Sequence, residues 1–521
     1  MYTREGKHIP KFRTRIFVVR RREKAAGIFR YISRVFRVVW RQKDRYKSEY
    51  VFLHEYIILF WTIPRRYGMD TIMYASTNRQ VPEVKLAEAL LQGQAPDKGL
   101  YLPVRIPRFA PGELASLHDK SYPEIAAAVL EKYTAGTFAP DALAKMCRSA
   151  YNFDVPIERV DAQRHVMRLD RGPTASFKDF AGLMMGRMFG SLRSNAAGDG
   201  GRLVILTATS GDTGSAIAHA FYRIPNVEVM ILFPPGEVST RQRKQMTTLG
   251  DNITAVGVDG KFDDCQALVK QAFADETLRG IELTSANSIN IGRLLPQIVY
   301  YVYAAVRLTR GESPIIFSVP SGNFGDMMGA LLASRMGLPL EKLVIATNEN
   351  DEVPRFMETG EYRKIVPSKA CLSNAMNVGH PSNFARVIAL FDGWLDETGA
   401  ERRKPDMGRM RKELWATSVT DAETRETIQK TWREHKLLLE PHGAVGWLGL
   451  ERYLHETSSA ATAVSVETAH PAKFPEEIEK LLGFSPEVPA SLSSVETKQE
   501  HFLTLPADYD AFHRLLLDTY K

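Results

Sequence analysis

Six short runs of apolar, largely β-branched residues, at 203–206, 229–233, 253–258, 281–284, 315–319 and 343–347, are separated by glycine-rich turns and helical patterns. Each run has the length and residue types of a strand. Between them, 215–221 and 296–306 read as helices, and in the second Ile298, Val299, Val302, Ala305 and Val306 follow a 3.6-residue period. Alternation of this kind folds into parallel sheets covered by helices on both faces, with ligands at the carboxyl ends of the strands. At ~150 residues per domain, 521 residues allow about three domains. With 44% apolar and 25% charged residues, wholesale disorder and collagen-like repeats are excluded. The charged stretch 396–427 reads as a helical insertion in this α/β body.

The net charge of +7 is unevenly placed. Residues 1–68 hold 18 of the 68 Lys and Arg but only 5 of the 61 Asp and Glu, which leaves the remainder mildly acidic at 50 against 56. The prefix is basic around 11–24, and its apolar run at 50–63 is interrupted by His54 and Glu55. That run falls short of the ~20 largely uncharged residues a membrane span requires. Its arginines suit a transit peptide, but serine is scarce and bulky aromatics are frequent. Residues 1–72 therefore read as a basic extension, dispensable to the chemistry or upstream of the true start, with Met69 and Met73 as candidate starts. So irregular a charge pattern points to neither a nucleic-acid nor a membrane partner, and a cytoplasmic location is expected. Cys147, Cys265 and Cys371 are far apart and form no CxxC, and no HExxH occurs. A disulfide framework and a metal site are both unsupported, in keeping with a reducing compartment.

Chemistry on such a fold sits just past the strands, where two glycine-rich turns stand. Thr-Ala-Thr-Ser-Gly-Asp-Thr-Gly-Ser at 207–215 follows one run and opens a helix, and Ser321-Gly322-Asn323-Phe324-Gly325 follows another and opens a helix from Asp326. Turns of this type let backbone N–H groups converge on an anion at the positive end of a helix. Neither is a GxxxxGK[ST] or GxGxxG loop, and each taken singly is equally well a plain strand-to-helix connection. The third element is Lys178, flanked by Phe177 and Phe180. A lone lysine is usually solvated, but aromatic neighbours desolvate the ammonium and favour the neutral, nucleophilic amine. An amine together with phosphate-sized anion cradles is what a pyridoxal phosphate site needs.

The strings Ser-Phe-Lys-Asp-Phe-Ala (176–181), Thr-Ser-Gly-Asp-Thr-Gly-Ser-Ala (209–216), Ser-Gly-Asn-Phe-Gly-Asp (321–326) and Ala-Asn-Ser-Ile-Asn-Ile-Gly-Arg-Leu-Leu-Pro-Gln (286–297) resemble the threonine synthase family, in its longer branch. Further matches at 74–77, 95–103 and 468–474 place the resemblance over about 73–482, in family order. It implies a fold-type II pyridoxal phosphate enzyme, tryptophan synthase β-like. Such an enzyme has two α/β domains with parallel sheets at 166–482, a small N-terminal domain at 73–165 and a C-terminal segment at 483–521. By the same resemblance Lys178 carries the Schiff base, and Ser321, Gly322, Asn323, Phe324 and Gly325 hold the cofactor phosphate. Thr468 faces the pyridine nitrogen, and Asp212 lies near the ring hydroxyl, where related branches place Asn. Asn287, Ser288 and Arg293, with Thr209 and Thr213 as neighbours, are the implied cradle for the substrate phosphate. The implied reaction turns O-phospho-L-homoserine and water into L-threonine and phosphate.

His442 and His470 stand in similar strings but read as structural hydrogen-bonding histidines, and Met184, Met185 and Met188 read as core. Two rivals remain at this level. A phospholyase would use the same groups and stop before water adds at Cβ, whereas a cofactor-less binding protein would work through its prefix. Oligomeric state and the group that activates the attacking water are left open by the residues alone.

Overall fold

The computed structural model describes residues 71–194 and 202–521, which belong to one compact unit, 69–521. The basic extension therefore lies outside the described residues, except for Thr71 and Ile72. Ile72 is already buried in the core, so the folded body begins before the expected boundary.

Two parallel sheets form the body. The smaller has five strands, in the order Leu503–Pro506, Ile253–Asp259, Val227–Phe233, Leu203–Ala208 and Glu282–Thr284, all parallel. The larger has six, in the order Leu414–Ser418, Leu340–Thr347, Ile315–Pro320, Thr462–Glu467, Arg164–Arg168 and Ile157–Arg159. It is parallel except for its last pair, so an antiparallel edge makes it mixed. All six residues are buried in both Leu203–Ala208 and Ile315–Pro320, because helices cover both faces. That is why these strands read as continuous apolar runs instead of alternating ones. A separate antiparallel sheet, with Met73–Ser76 between Val84–Lys85 and Tyr101–Pro103, heads the N-terminal region with the helices Tyr122–Thr134 and Pro140–Ala150.

The helix Lys178–Ser194 buries Met184, Met185 and Met188 in the core, as expected. At Gly186 it comes so close to the helix Asp212–Phe221 that an added Cβ would lie 2.4 Å from the Ala220 carbonyl oxygen. This contact sets the first residues of the two helices, Lys178 and Asp212, side by side.

One expectation is corrected: the stretch 396–427 is only partly helical. It contains the second arm of the hairpin Trp394–Leu395/Glu401–Arg403, the helix Met407–Glu413, the edge strand Leu414–Ser418 and the start of the helix Asp421–His435. An edge strand is covered incompletely, so four of its five residues are only partly buried and it carries no apolar signature. The C-terminal segment 483–521 joins the smaller sheet. Leu503–Pro506 extends the smaller sheet, and the helix Tyr509–Tyr520 buries Phe512 and Leu516 against Val256, Val258 and Cys265. All three cysteines are free and buried, and burial pushes the Cys147 and Cys265 thiols up to about 12. Among the described residues no helix is long and apolar enough to cross a membrane.

Candidate active site

Five strands deliver the residues expected at the site. Arg164–Arg168 leads through a tight turn to Lys178, Leu203–Ala208 to Thr209, Asp212 and Thr213, and Glu282–Thr284 to Asn287, Ser288 and Arg293. Ile315–Pro320 leads to Ser321, Gly322, Asn323, Phe324 and Gly325, and Thr462–Glu467 to Thr468. All of them line one cleft of ≈ 530 Å³. The position follows the rule for open α/β sheets, that ligands sit beyond the carboxyl ends of the strands.

Lys178 is the first residue of its helix, and its approach is set by pairing with the Thr468 segment. Phe177 N–H donates to Thr468 O at 2.9 Å and His470 N–H to Ala175 O at 3.1 Å. Ala175 is left-handed, with φ 55°, a conformation that costs a residue with a Cβ about 1 kcal/mol and is held here by these bonds. The Lys178 Nζ lies 4.7 Å over the Phe177 ring and 3.7 Å from Asp212 Oδ2. Phe180 takes no part, because it is locked among Tyr122, Tyr151, Phe153 and Tyr300. Burial pushes the Lys178 ammonium below the usual lysine range, with Lys473 and Arg293 acting in the same direction and Asp212 and Glu440 opposing. For Asp212, burial is outweighed by the Lys473 and Lys178 ammonium groups, which hold its carboxyl well below the usual carboxylate range.

The turn 321–325 has the form of an anion cradle. Ser321 N–H donates to Ala346 O, whereas the Gly322, Asn323 and Phe324 N–H groups have no partner among the described residues. Phe324 is left-handed, with φ 61°, and its ring is held by Phe384 at 5.8 Å. Gly322 is required by crowding, since a Cβ would lie 2.8 Å from Ala375 O. Unpartnered donors at the start of a helix, beside a desolvated lysine, fit a phosphate and an aldehyde on one molecule. The residues present thus fit pyridoxal phosphate.

A second anion cradle lies at 286–293. Arg293 is buried, forms no ion pair, donates from Nη1 to Ala286 O at 2.9 Å and leaves Nε unpartnered. Burial pushes its guanidinium down to about 10. The loop is stiffened from within by Asn290, which donates to Leu90 O and Ser285 O and accepts from Gly292 N–H. From beneath, the fully buried Arg386 donates to Tyr101 O, Ser288 O and Ile289 O. The Asn287 Oδ1 has no partner. Thr209 stands differently. Its Oγ1 accepts from the Gly211 and Gly214 N–H groups, so it shapes its own turn and has only its proton to offer a ligand.

Around these residues the structure adds partners that the residues alone did not name. The Thr468 hydroxyl lies 3.4 Å from Glu440 Oε1, and Glu440 Oε2 is 2.6 Å from His442 Nδ1. His442 Nε2 accepts from Ala375 N–H, which fixes the proton on Nδ1 and makes the ring a structural link, though it lines the cleft. His470 Nδ1 accepts from Ala472 N–H and caps a turn. Asp326 lines the cleft beside the first cradle. Its Oδ1 accepts from the Tyr300 and Tyr301 hydroxyls, its Oδ2 has no partner, and burial pushes its carboxyl up to about 6. The fully buried Lys473 pairs with Asp212 at 2.7 Å. Two of these contacts, Glu440 with His442 and His470 with Ala472, are local; the others join residues 25 to 261 apart, from Tyr301 to Asp326 and from Asp212 to Lys473, and no local pattern announces them.

Comparison with known proteins gives the same picture. A family model described as "Pyridoxal-phosphate dependent enzyme" matches residues 156–469, "Threonine synthase N terminus" matches 73–151 and "Threonine synthase, C-terminal" matches 443–516. The last carries the resemblance past 482, into the strand and helix that complete the smaller sheet. Threonine synthase of Escherichia coli is 41% identical over 441 residues, covering 84% of this chain and 97% of that one. The enzyme of Saccharomyces cerevisiae is 35% identical over 461 residues, 79% of this chain and 90% of that one. The crystal structure of pyridoxal-phosphate-bound threonine synthase from Brucella melitensis matches with a TM-score of 0.80 at 36% identity, covering 86% of this chain and all 100% of the other. With cleft, sheets and both flanking regions matched in one order, the chain belongs to the threonine synthase family.

Proposed function

We propose that this chain converts O-phospho-L-homoserine and water into L-threonine and phosphate, the last step of threonine biosynthesis, with pyridoxal 5'-phosphate as its cofactor. The observation that carries the reading is the convergence, in one cleft, of a desolvated lysine and two separate sets of unpartnered anion donors. One phosphate belongs to the cofactor and one to the substrate. Bound through Lys178, pyridoxal phosphate supplies the electron sink that makes protons at Cα and Cβ removable.

In this reading the backbone of Ser321–Gly325 binds the cofactor phosphate, while Thr468 and Asp212 orient the ring. Lys178 Nζ takes the proton from Cα and then moves one from Cβ, a role suited to an amine whose proton affinity burial lowers. Arg293, Asn287 and Ser288 grip the substrate phosphate and stabilise its charge as the bond to Cγ breaks. Cγ gains a proton, water adds its oxygen at Cβ, and Cα is reprotonated, so one water is consumed for each phosphate released. Neither nucleic acid nor membrane enters this chemistry, and three buried free thiols suit the reducing cytoplasm.

The test is to incubate the purified full chain with pyridoxal phosphate and O-phosphohomoserine and to quantify phosphate and amino-acid product together. Equal phosphate and threonine are expected. Phosphate with an oxo acid would make the protein a phospholyase, and neither product would remove this substrate. Lys178→Ala should abolish covalent cofactor attachment and lower turnover by at least about 100-fold.

A further inference from the structure

Behind the cleft wall, against Asp212, lies a buried lysine that the proton transfers above do not use. The Lys473 side chain is fully buried, with its Nζ 2.7 Å from Asp212 Oδ1 and donating to Thr174 O at 2.8 Å. Gln242 Nε2 donates to the same Asp212 oxygen at 2.7 Å, which leaves Oδ2 to Lys178 at 3.7 Å. One carboxylate therefore stands between two lysine nitrogens, 2.7 Å from Lys473 and 3.7 Å from Lys178.

The arrangement resolves a conflict. Lys178 must lose its proton to attach a cofactor and to act as a base, yet an unpaired carboxylate at 3.7 Å would hold that proton on. Asp212 cannot be dispensed with if the nitrogen is to be aimed. We propose that Lys473 is a positioning residue of this site, whose ammonium neutralises the Asp212 carboxylate so that Asp212 orients the Lys178 amine without holding it protonated. The Thr174 contact adds a geometric part. It ties Lys473 to the turn that leads into Lys178, and Lys473 lies five residues past Thr468, so one ammonium fixes both segments against the Asp212 helix.

The other charges around Lys178 do not replace this one. Arg293 faces it from the 286–293 loop, Glu440 from the start of the helix Pro441–Thr457 and Asp326 from the helix Gly325–Arg335. Asp179, on the lysine's own helix, is turned away and accepts from the Thr174 hydroxyl and N–H. None of these bonds to Asp212.

The inference rests on Lys178 as the cofactor's attachment point and is tested without substrate. Cofactor-free protein is mixed with pyridoxal phosphate, and the rate of covalent capture is followed by absorption across pH. The pH of half-maximal rate reports the lysine's proton affinity. Lys473→Met should raise that midpoint by about 1–3 units, and Asp212→Asn, which leaves Lys473 unpaired, should lower it. The double variant Asp212→Asn with Lys473→Met should return to within about half a unit of the parent, and Lys473→Arg should stay near it. A purely structural lysine would lower the melting temperature without moving the midpoint, and that result in folded Lys473→Met overturns the proposal. If Lys473→Met does not fold, the double variant decides: a midpoint at the parent's value supports charge neutralisation, and a displaced one rejects it. Absence of capture by the parent would instead overturn the assignment of Lys178, and this inference with it.

Discussion

Burial without a counter-charge is the recurring device at the scale of single residues. Arg293 presents a guanidinium to the cleft and, among the described residues, has no carboxylate at ion-pairing distance, a costly arrangement unless an anion completes it. Arg293→Ala should lower kcat/KM for the phosphorylated substrate by about 100- to 1,000-fold and leave the bound cofactor's absorption intact. Loss of the cofactor instead would mean that the two phosphate cradles have been exchanged. Asp326 allows a prediction about pH. Its folded-state pKa of about 6 lies above the ordinary 3.8, so its favourable contribution is full below the unfolded value and lost as pH rises through the folded one. Asp326→Asn keeps an oxygen for both tyrosine hydroxyls but cannot ionise. In urea unfolding, the variant and the parent should be equally stable below about pH 4, and the variant more stable by up to about 3 kcal/mol above pH 7. A difference that does not vary with pH would sink this account. The motif around Asp326 was legible in the sequence, but its titration was not, since Tyr300 and Tyr301 lie on another helix.

Among elements, the contact between Lys178–Ser194 and Asp212–Phe221 decides whether lysine and aspartate meet. Gly186→Ala would drive a methyl to 2.4 Å from a backbone oxygen, so the helices must separate. The expected loss is about 1–3 kcal/mol in urea unfolding, together with slower cofactor capture, whereas Gly236→Ala, which meets nothing within 4 Å, should stay within about 0.5 kcal/mol of the parent. Five of the six apolar runs were readable because a strand buried on both faces leaves a local, largely uninterrupted signature, and the sixth, at the edge strand Glu282–Thr284, was readable with Ile281 as a short β-branched run. Leu414–Ser418 and Leu503–Pro506 were not, because these edge strands are incompletely covered and carry few buried apolar residues.

For the molecule as a whole, the C-terminal segment reaches the site through the helix Thr240–Thr247. Arg241 and Arg243 of that helix pair with Glu496 and Glu500, His501 N–H donates to Thr247 O at 2.7 Å, and Gln242 on the same helix holds Asp212. Removing 483–521 should therefore lower the melting temperature and weaken cofactor retention. A truncated chain that binds cofactor as the parent does would refute this linkage. Removing 1–68, by contrast, should leave turnover within about two-fold, since the cleft and its five strands are built from later residues. The amino-acid sequence by itself determined the class of fold and singled out Lys178 and the turn 321–325 for the proposed cofactor site, because run length, glycine placement and short strings are local properties of the chain. Tertiary structure alone decided which distant groups meet: Asp212 with Lys473, Glu440 with Thr468, and Arg386 beneath the 286–293 loop. The energy of a buried charge depends on the partners and solvent that folding places around it, and those partners come from strands and helices far apart along the chain.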